Sequence, residues 1–286
     1  MNFTKMHGAG NDFILVETND TQRNWSKLAI TMCDRHFGIG GDGLILVMPS
    51  DKADARMREF NPDGSEAEAC GNGIRCLARF VFEKGLVGPE AEQISVETLA
   101  GIRKLKLLKK GNRLISIQAA MGKPAFGAQE IPVLLEQGGK KTVYIKLMLS
   151  YPVTVEGTDL LLNFVSMGNP HAVFFQKSPV ADFPLTQLGP KVEHLSIFPR
   201  RTNFEIARVI NRKQIEVRVW ERGAGETLAC GSGACAVAVA AQLYGYADKK
   251  VDIKLPGGTL QIEWDGAGEV LMSGPAETVF TGEWPE

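Results

Sequence analysis

At 286 residues the chain is long for one hydrophobic core and fits two domains, with the 44% apolar and 23% charged residues usual for a soluble globular protein. A formal charge of −1 excludes an electrostatic case for nucleic acid or an anionic membrane as partner. No apolar run reaches the roughly 18 residues of a membrane helix.

The start, MNFTKMHGAGNDF, has no basic stretch leading into an apolar one, so no secretory signal is expected. FILVE (Phe13–Glu17) and LILVM (Leu44–Met48) are short apolar runs bounded by Gly, Asn or Asp, and they read as buried strands. Between them GIGGDG (Gly38–Gly43) fits GxGxxG literally. A strand pattern follows it where a dinucleotide site needs a helix, so no nucleotide is expected there. After Cys70, the residues Ile74, Leu77, Ala78, Val81 and Phe82 follow helical spacing, with an end at Lys84-Gly85. IRKLKLLKKGNRLISIQ predicts a hairpin about Gly111-Asn112 with one solvated face, and NRKQIEVRVWERG alternates in the same way. After Cys230, GACAVAVAAQLYG is apolar on all sides, which predicts a helix enclosed by its domain.

The two cysteine segments, ACGNGIRC and ACGSGAC, lie 160 positions apart (230 − 70). Gly10-Asn11 and Gly168-Asn169 each precede an apolar strand at an offset of 158 (169 − 11), and Glu66 and Glu226 each stand four residues before their cysteine. TLAGIRKLKL and LPGGTLQIEW are expected to follow each helix with a glycine-kinked strand. These offsets argue for a duplicated unit, against chance similarity of short Gly-rich strings. The boundary is expected near AAMGKPAFG, giving domains 1–121 plus 275–286 and 122–274.

In each copy a cysteine meets a helix start whose glycines let the backbone approach a ligand. The first helical N–H groups have no internal partner, so they attract a carboxylate and should favour a thiolate, lowering the cysteine pKa from about 8.5. Two such copies facing each other suit inversion at a carbon beside a carboxylate. One thiolate would take the proton, the other thiol would return one from the opposite face, and closure of the domains would keep the site dry.

The remaining candidates carry two readings each. Cys33, Cys76 and Cys235 read as buried thiols, and the five cysteines contain no Cys-x-x-Cys pair, as expected of free thiols in a reducing cytoplasm. No zinc spacing is present, so no metal is expected. His7, His36 and His194 read as structural histidines, whereas His171, inside the repeated GNPH element, is structural or functional on spacing alone. Glu221-Arg222 is either a surface ion pair or a carboxylate-recognising Arg beside a Glu that influences a thiol. Asn11, Asn61, Asn72, Asn169 and Asn203 stand in Gly/Pro-rich turns that favour Asn for structural reasons as well.

KMHGAGNDF, NPDGSEAEACGNGIRC, SMGNPH and WERGAGETLACGSGACA, in this order, closely resemble the diaminopimelate epimerase family from Lys5 to about Gly274. The resemblance implies an α+β fold of two pseudo-symmetric domains of similar fold, each a mostly antiparallel or mixed, barrel-like sheet around a central helix. It implies a cytoplasmic isomerase of lysine and peptidoglycan precursor synthesis, commonly a homodimer, that needs no cofactor. By position, Cys70 and Cys230 match the catalytic cysteines, and Gly71-Asn72 and Gly231-Ser232 match the loops that hold the reacting carboxylate. Asn11, Asn61, Asn169, Asn203, Glu221 and Arg222 match substrate contacts, while His171 and Glu221 match residues thought to adjust the thiols. Gly43 stands where some members carry a substrate-binding glutamine. The rival readings are a proline or hydroxyproline racemase of the same fold, a Cys-His hydrolase, and a binding module without chemistry.

Overall fold

The computed structural model describes residues 1–67, 70–111, 113–127, 129–133 and 149–285. The chain divides into two compact units, Met1–Ala120 with Ser273–Glu286, and Met121–Met272.

In the first unit β1 (Asn2–Gly8) runs antiparallel to β2 (Asn11–Glu17). Helix α1 (Trp25–Cys33) then crosses over to β3 (Gly43–Met48), which lies parallel to β2. β4 (Ala55–Phe60) pairs antiparallel with β3 and with the short β5 (Glu66–Ala67). After α2 (Gly71–Glu83) the chain returns as β6 (Gln93–Thr98), parallel to β4. β7 (Gly101–Lys110) and β8 (Arg113–Ala120) complete the antiparallel run. The expected hairpin spans β7 and β8; its Asn112 lies outside the described residues.

In the second unit Ala125 bridges to Ser166, and the hairpin of β9 (Tyr151–Val155) and β10 (Thr158–Ser166) leads into the same pairing pattern. β10 is antiparallel to β11 (Pro170–Phe175), and β11 is parallel to β12 (Asn203–Asn211) across helix α3 (Leu185–Glu193). β12 is antiparallel to β13 (Gln214–Glu221), which pairs with β14 (Gly225–Thr227) and, after α4 (Gly231–Leu243), parallel with β15 (Lys250–Leu255). β16 (Gly258–Glu263) closes the antiparallel run. Through β17 (Leu271–Gly274) the chain returns to the first unit, where β18 (Glu277–Glu283) pairs with β1. The parallel pairs explain the helices, because parallel neighbours need a crossover connection. The architecture is duplicated, as the repeats predict, and α+β, as the resemblance implies.

The repeat is visible residue by residue. Gly10 (φ 85°) and Gly168 (φ 92°) both hold the left-handed turn between the first two strands of the pattern, a conformation that favours glycine. Each central helix is wrapped by strands of its own unit: α2 touches β1, β2, β3, β4, β6 and β8, and α4 touches β10, β11, β12, β15 and β16. Ala234 through Ala241 are all fully buried in α4, as its all-round apolar sequence predicts. α2 buries Ile74, Leu77 and Val81 against Phe13, Leu15 and Ile45.

One local expectation is corrected. TLAGIRKLKL and LPGGTLQIEW form tight hairpins rather than kinked strands: Thr98 pairs with Gly101 and Leu255 with Gly258, leaving two-residue turns. Gly101 at φ 96° supplies the positive angle that turns the chain back on itself. Among the described residues no helix is long and apolar enough to cross a membrane.

Candidate active site

Cys70 and Cys230 are the N-cap residues of α2 and α4, with φ/ψ of −118°/128° and −117°/114°. Cysteine is not among the residues preferred at this position, where Ser, Thr, Asp and Asn supply an oxygen acceptor. The Cys230 sulfur fills that role itself, accepting from the Gly233 N–H at 3.4 Å. The duplicated sequence therefore places one thiol at each of two equivalent helix starts, where unpaired backbone N–H groups favour negative charge.

Around Cys70 the first unit assembles Asn11, Gly71 and Asn72. The thiol donates to Asn11 Oδ1 at 3.7 Å, and Asn72 Nδ2 donates to the same oxygen at 3.0 Å. The fully buried Arg75 ties the loop from beneath, donating to the Gly71 carbonyl at 2.9 Å and to Asn72 Oδ1 at 2.8 Å. Asn61 stands apart, in the β4–β5 turn, with its Nδ2 on Ser65 Oγ at 2.9 Å. Gly43 is closed in: a Cβ there would lie 3.2 Å from both the Phe13 ring and the Phe60 carbonyl. A longer residue at position 43 would have to displace Phe13.

Around Cys230 the second unit assembles Asn169, His171, Ser232 and Glu221. His171 Nδ1 lies 2.6 Å from Glu205 Oε1, with both side chains fully buried, and its Nε2 lies 2.9 Å from Asn169 Oδ1. Asn169 Nδ2 donates to Ser232 Oγ at 3.4 Å, and that hydroxyl lies 3.5 Å from the Cys230 sulfur. Thr227 donates to Glu221 in a short hydrogen bond. Asn203 is committed on both sides, donating to the Pro170 carbonyl at 3.0 Å and accepting from the Arg222 N–H at 2.9 Å. The exposed Arg222 guanidinium donates to the Arg200 carbonyl at 3.1 Å.

The expected lowering of the thiol pKa is corrected at Cys230. Burial first, then the carboxylates of Glu221 and Glu205, push this thiol well above its ordinary value, despite the donors Ser232 and Gly233. Desolvation outweighs the helix-start field because the sulfur is buried. Burial likewise pushes up the carboxyl of Glu221, which accepts from the Cys230 thiol. Cys33 and Cys76 are buried and pushed up to about 11 and about 12, as inert structural thiols should be.

Sequence reasoning missed the buried acids. Glu59 is pushed by burial up to about 7 and accepts from the Cys70 backbone N–H; Glu205 anchors His171. The signal was present in ARMREF, where alternation puts Glu59 on the inward face with Ala55 and Met57. Arg75, one residue after Ile74 in the helical pattern, was missed as well.

The family model of diaminopimelate epimerase matches residues 3–127 and 163–279. The diaminopimelate epimerase of Moorella thermoacetica is 51% identical over 288 residues, covering 100% of this chain and 99% of the relative. That of Methanococcus maripaludis is 47% identical over 290 residues, with 99% of each chain covered. Among solved structures, a PhzF-family phenazine biosynthesis protein from Bacillus anthracis superposes with a TM-score of 0.71 at 17% identity, covering 100% of this chain and 99% of that one. A hydroxyproline epimerase from Agrobacterium vitis with bound trans-4-hydroxy-L-proline superposes at 0.68 and 14% identity, covering 99% and 91%. At such identities the structural likeness concerns the fold alone, whereas half of all positions are shared with the diaminopimelate enzymes. The chain belongs to the diaminopimelate epimerase family.

Proposed function

We propose that this chain is an isomerase that converts LL-2,6-diaminopimelate into the meso isomer, with Cys70 and Cys230 as its two acid–base groups. The observation that carries the mechanism is the matched placement of both thiols as N-caps of equivalent central helices. One cysteine, as thiolate, takes the α-proton and becomes a thiol. The electron pair left on carbon passes into the adjacent carboxylate, whose growing negative charge the helix-start N–H groups stabilise. The other cysteine, as thiol, gives its proton to the opposite face and becomes the thiolate, so the proton count of the pair is unchanged. Burial and two carboxylates favour the thiol form of Cys230, the form a cysteine of the pair holds when it donates, and the two cysteines exchange roles in the reverse reaction. His171 and Glu221 adjust the second thiol in this reading, and Gly71-Asn72 and Gly231-Ser232 receive the reacting carboxylate.

Asn11, Asn61, Asn169 and Arg222 complete the set for binding substrate, and Asn203 serves by fixing the Arg222 backbone. A site with this many polar groups rejects analogues that leave them unpaired. The reading also carries a homodimer, a cytoplasmic location, a role in lysine and peptidoglycan precursor synthesis, and no requirement for a cofactor. The proline racemase alternative rests on likeness at 14% identity and is not favoured.

Proton NMR of the reduced protein with LL-diaminopimelate in D₂O, with nothing added, tests the proposal. Loss of the α-proton signal together with meso product is the expected result. Exchange on proline or hydroxyproline, with none on diaminopimelate, would overturn the substrate.

A further inference from the structure

The GIGGDG loop, which fits a nucleotide motif only literally, ends beside Asn11. Its glycines let it fold back on the end of α1: Ile39 and Gly40 donate to the Met32 carbonyl at 2.9 and 3.0 Å, and Gly41 to the Cys33 carbonyl at 3.1 Å. A Cβ on Gly38 would lie 2.2 Å from the Thr31 carbonyl, so only glycine allows this approach. The loop then delivers Asp42, whose N–H donates to the Asp12 carbonyl at 2.7 Å.

Asp42 Oδ2 accepts from Asn11 Nδ2 at 2.7 Å and from the Asp12 N–H at 3.0 Å. Its Oδ1 accepts from Arg35 at 2.7 Å. Arg35 also bridges to Asp12, and Lys5, nearly fully buried, pairs with Asp12 at 2.6 Å. Burial opposes ionisation of Asp12, yet Arg35 and Lys5 hold its carboxyl down at about 2. Both Asp42 oxygens serve as acceptors, for Arg35 on one side and for the Asp12 N–H and Asn11 on the other, so Asn11 turns its NH₂ toward Asp42. Its carbonyl is then forced to face Cys70 and Asn72.

We infer that Asp42 is a positioning residue: it locks the Asn11 amide so that the Cys70 sulfur always meets an acceptor, which favours the thiol over the thiolate. The corresponding amide in the second unit is set differently. Asn169 meets the imidazole of His171 instead of a carboxylate, and turns its NH₂ toward the helix start. Cys70 thus meets an amide oxygen directly, whereas the sulfur of Cys230 lies near the Ser232 hydroxyl to which the Asn169 amide donates. The functional meaning rests on Cys70 being an acid–base group in the proposed reaction.

The charges facing Asn11 and Cys70 are Asp42 and Arg35 from the α1–β3 loop, Asp12 and Lys5 from β2 and β1, Arg75 from α2 and Glu59 from β4. His7 of β1 accepts from the Gly10 N–H at the adjoining turn. The test therefore separates orientation from bulk charge. In the Cys230→Ala protein, the pH dependence of Cys70 alkylation by iodoacetamide is followed by peptide mass spectrometry, with no substrate present. Asp42→Ala should lower the midpoint by about one pH unit, with Cys33 still protected as a check on the local fold; Asp42→Asn, which keeps one acceptor, should shift it less. In an Asn11→Ala background the same Asp42 changes should move the midpoint by less than about 0.3 unit, since contacts that act through one residue are not additive. If Asp42→Ala exposes Cys33, Asp42→Asn carries the test. An unmoved midpoint, or an equal shift in both backgrounds, overturns the inference. Neither result depends on epimerase activity, so failure of that reading would be seen separately.

Discussion

Glu205 Oε1 lies 2.8 Å from where a Cβ on Gly233 would stand, and Glu59 Oε2 lies 3.1 Å from the same point on Gly73. The second glycine of each Cys-Gly-x-Gly element is therefore small to admit a buried carboxylate beneath the helix start, as well as to open the backbone above it. Both acids have one oxygen without a hydrogen-bond partner among the described residues.

Alanine at these two glycines should separate. At Gly73 the other close atoms are the ends of Ile45 and Met57, which can shift, and the gain in helix propensity offsets part of the strain. At Gly233 the neighbours are Glu205, pinned by His171, and the Cys230 Cβ at 3.3 Å. Gly233→Ala should cost about 1–3 kcal/mol in denaturant unfolding and Gly73→Ala about half of that. Gly88→Ala, with open space around it, is the control. Equal losses at positions 73 and 233 would mean that Glu205 is not the obstacle.

Cys70→Ser and Cys230→Ser should each lower diaminopimelate epimerisation by about 10²–10⁴-fold, because a hydroxyl is a poor acid or base near neutral pH. Unfolding curves of both variants should stay close to the parent's, since serine is itself a good N-cap. Turnover within tenfold of the parent in either variant would remove that cysteine from the mechanism.

The positions of both thiols were legible because they depend on local chemistry: glycines after a cysteine and apolar periodicity behind them. Helix α1 was not, since WSKLAITMC is short and its start rests on Asn24 accepting from Lys27 N–H. Helix α3 carries Pro190 inside it, which hides its pattern. The roles of Asp42 and Glu205 were beyond reach for a different reason. Each depends on a pairing between strands far apart in sequence, β2 with β3 and β11 with β12, that no local signal encodes. The direction of the Cys230 shift failed for the same reason, because burial is a property of the whole unit.

Glu221→Gln should lower the pH midpoint of Cys230 alkylation. The carboxylate both repels a thiolate and accepts from the thiol, so it favours the protonated form twice. Neutralising it removes both effects, and the midpoint, read in the Cys70→Ala protein, should fall. A rise would show that Glu221 stabilises the thiolate instead.

Glu59 makes stability depend on pH in a definite direction. Its carboxyl has an ordinary value of 4.5 and is pushed up by burial to about 7 in the folded chain. The folded state therefore binds the proton more tightly than the unfolded state does. Its favourable contribution is fully present below about 4.5 and is lost as pH rises through about 7. The shift corresponds to about 3 kcal/mol, an upper bound on the part of the decline that this residue causes. Glu59→Gln keeps an oxygen for the Cys70 N–H and has no charge to bury, so its denaturant midpoint should change little between pH 4.5 and 7 while the parent's falls. Above pH 7 the variant should be the more stable of the two. If the two curves run parallel through that window, Glu59 titrates as an exposed acid would, and it is not the proton-holding group beneath Cys70.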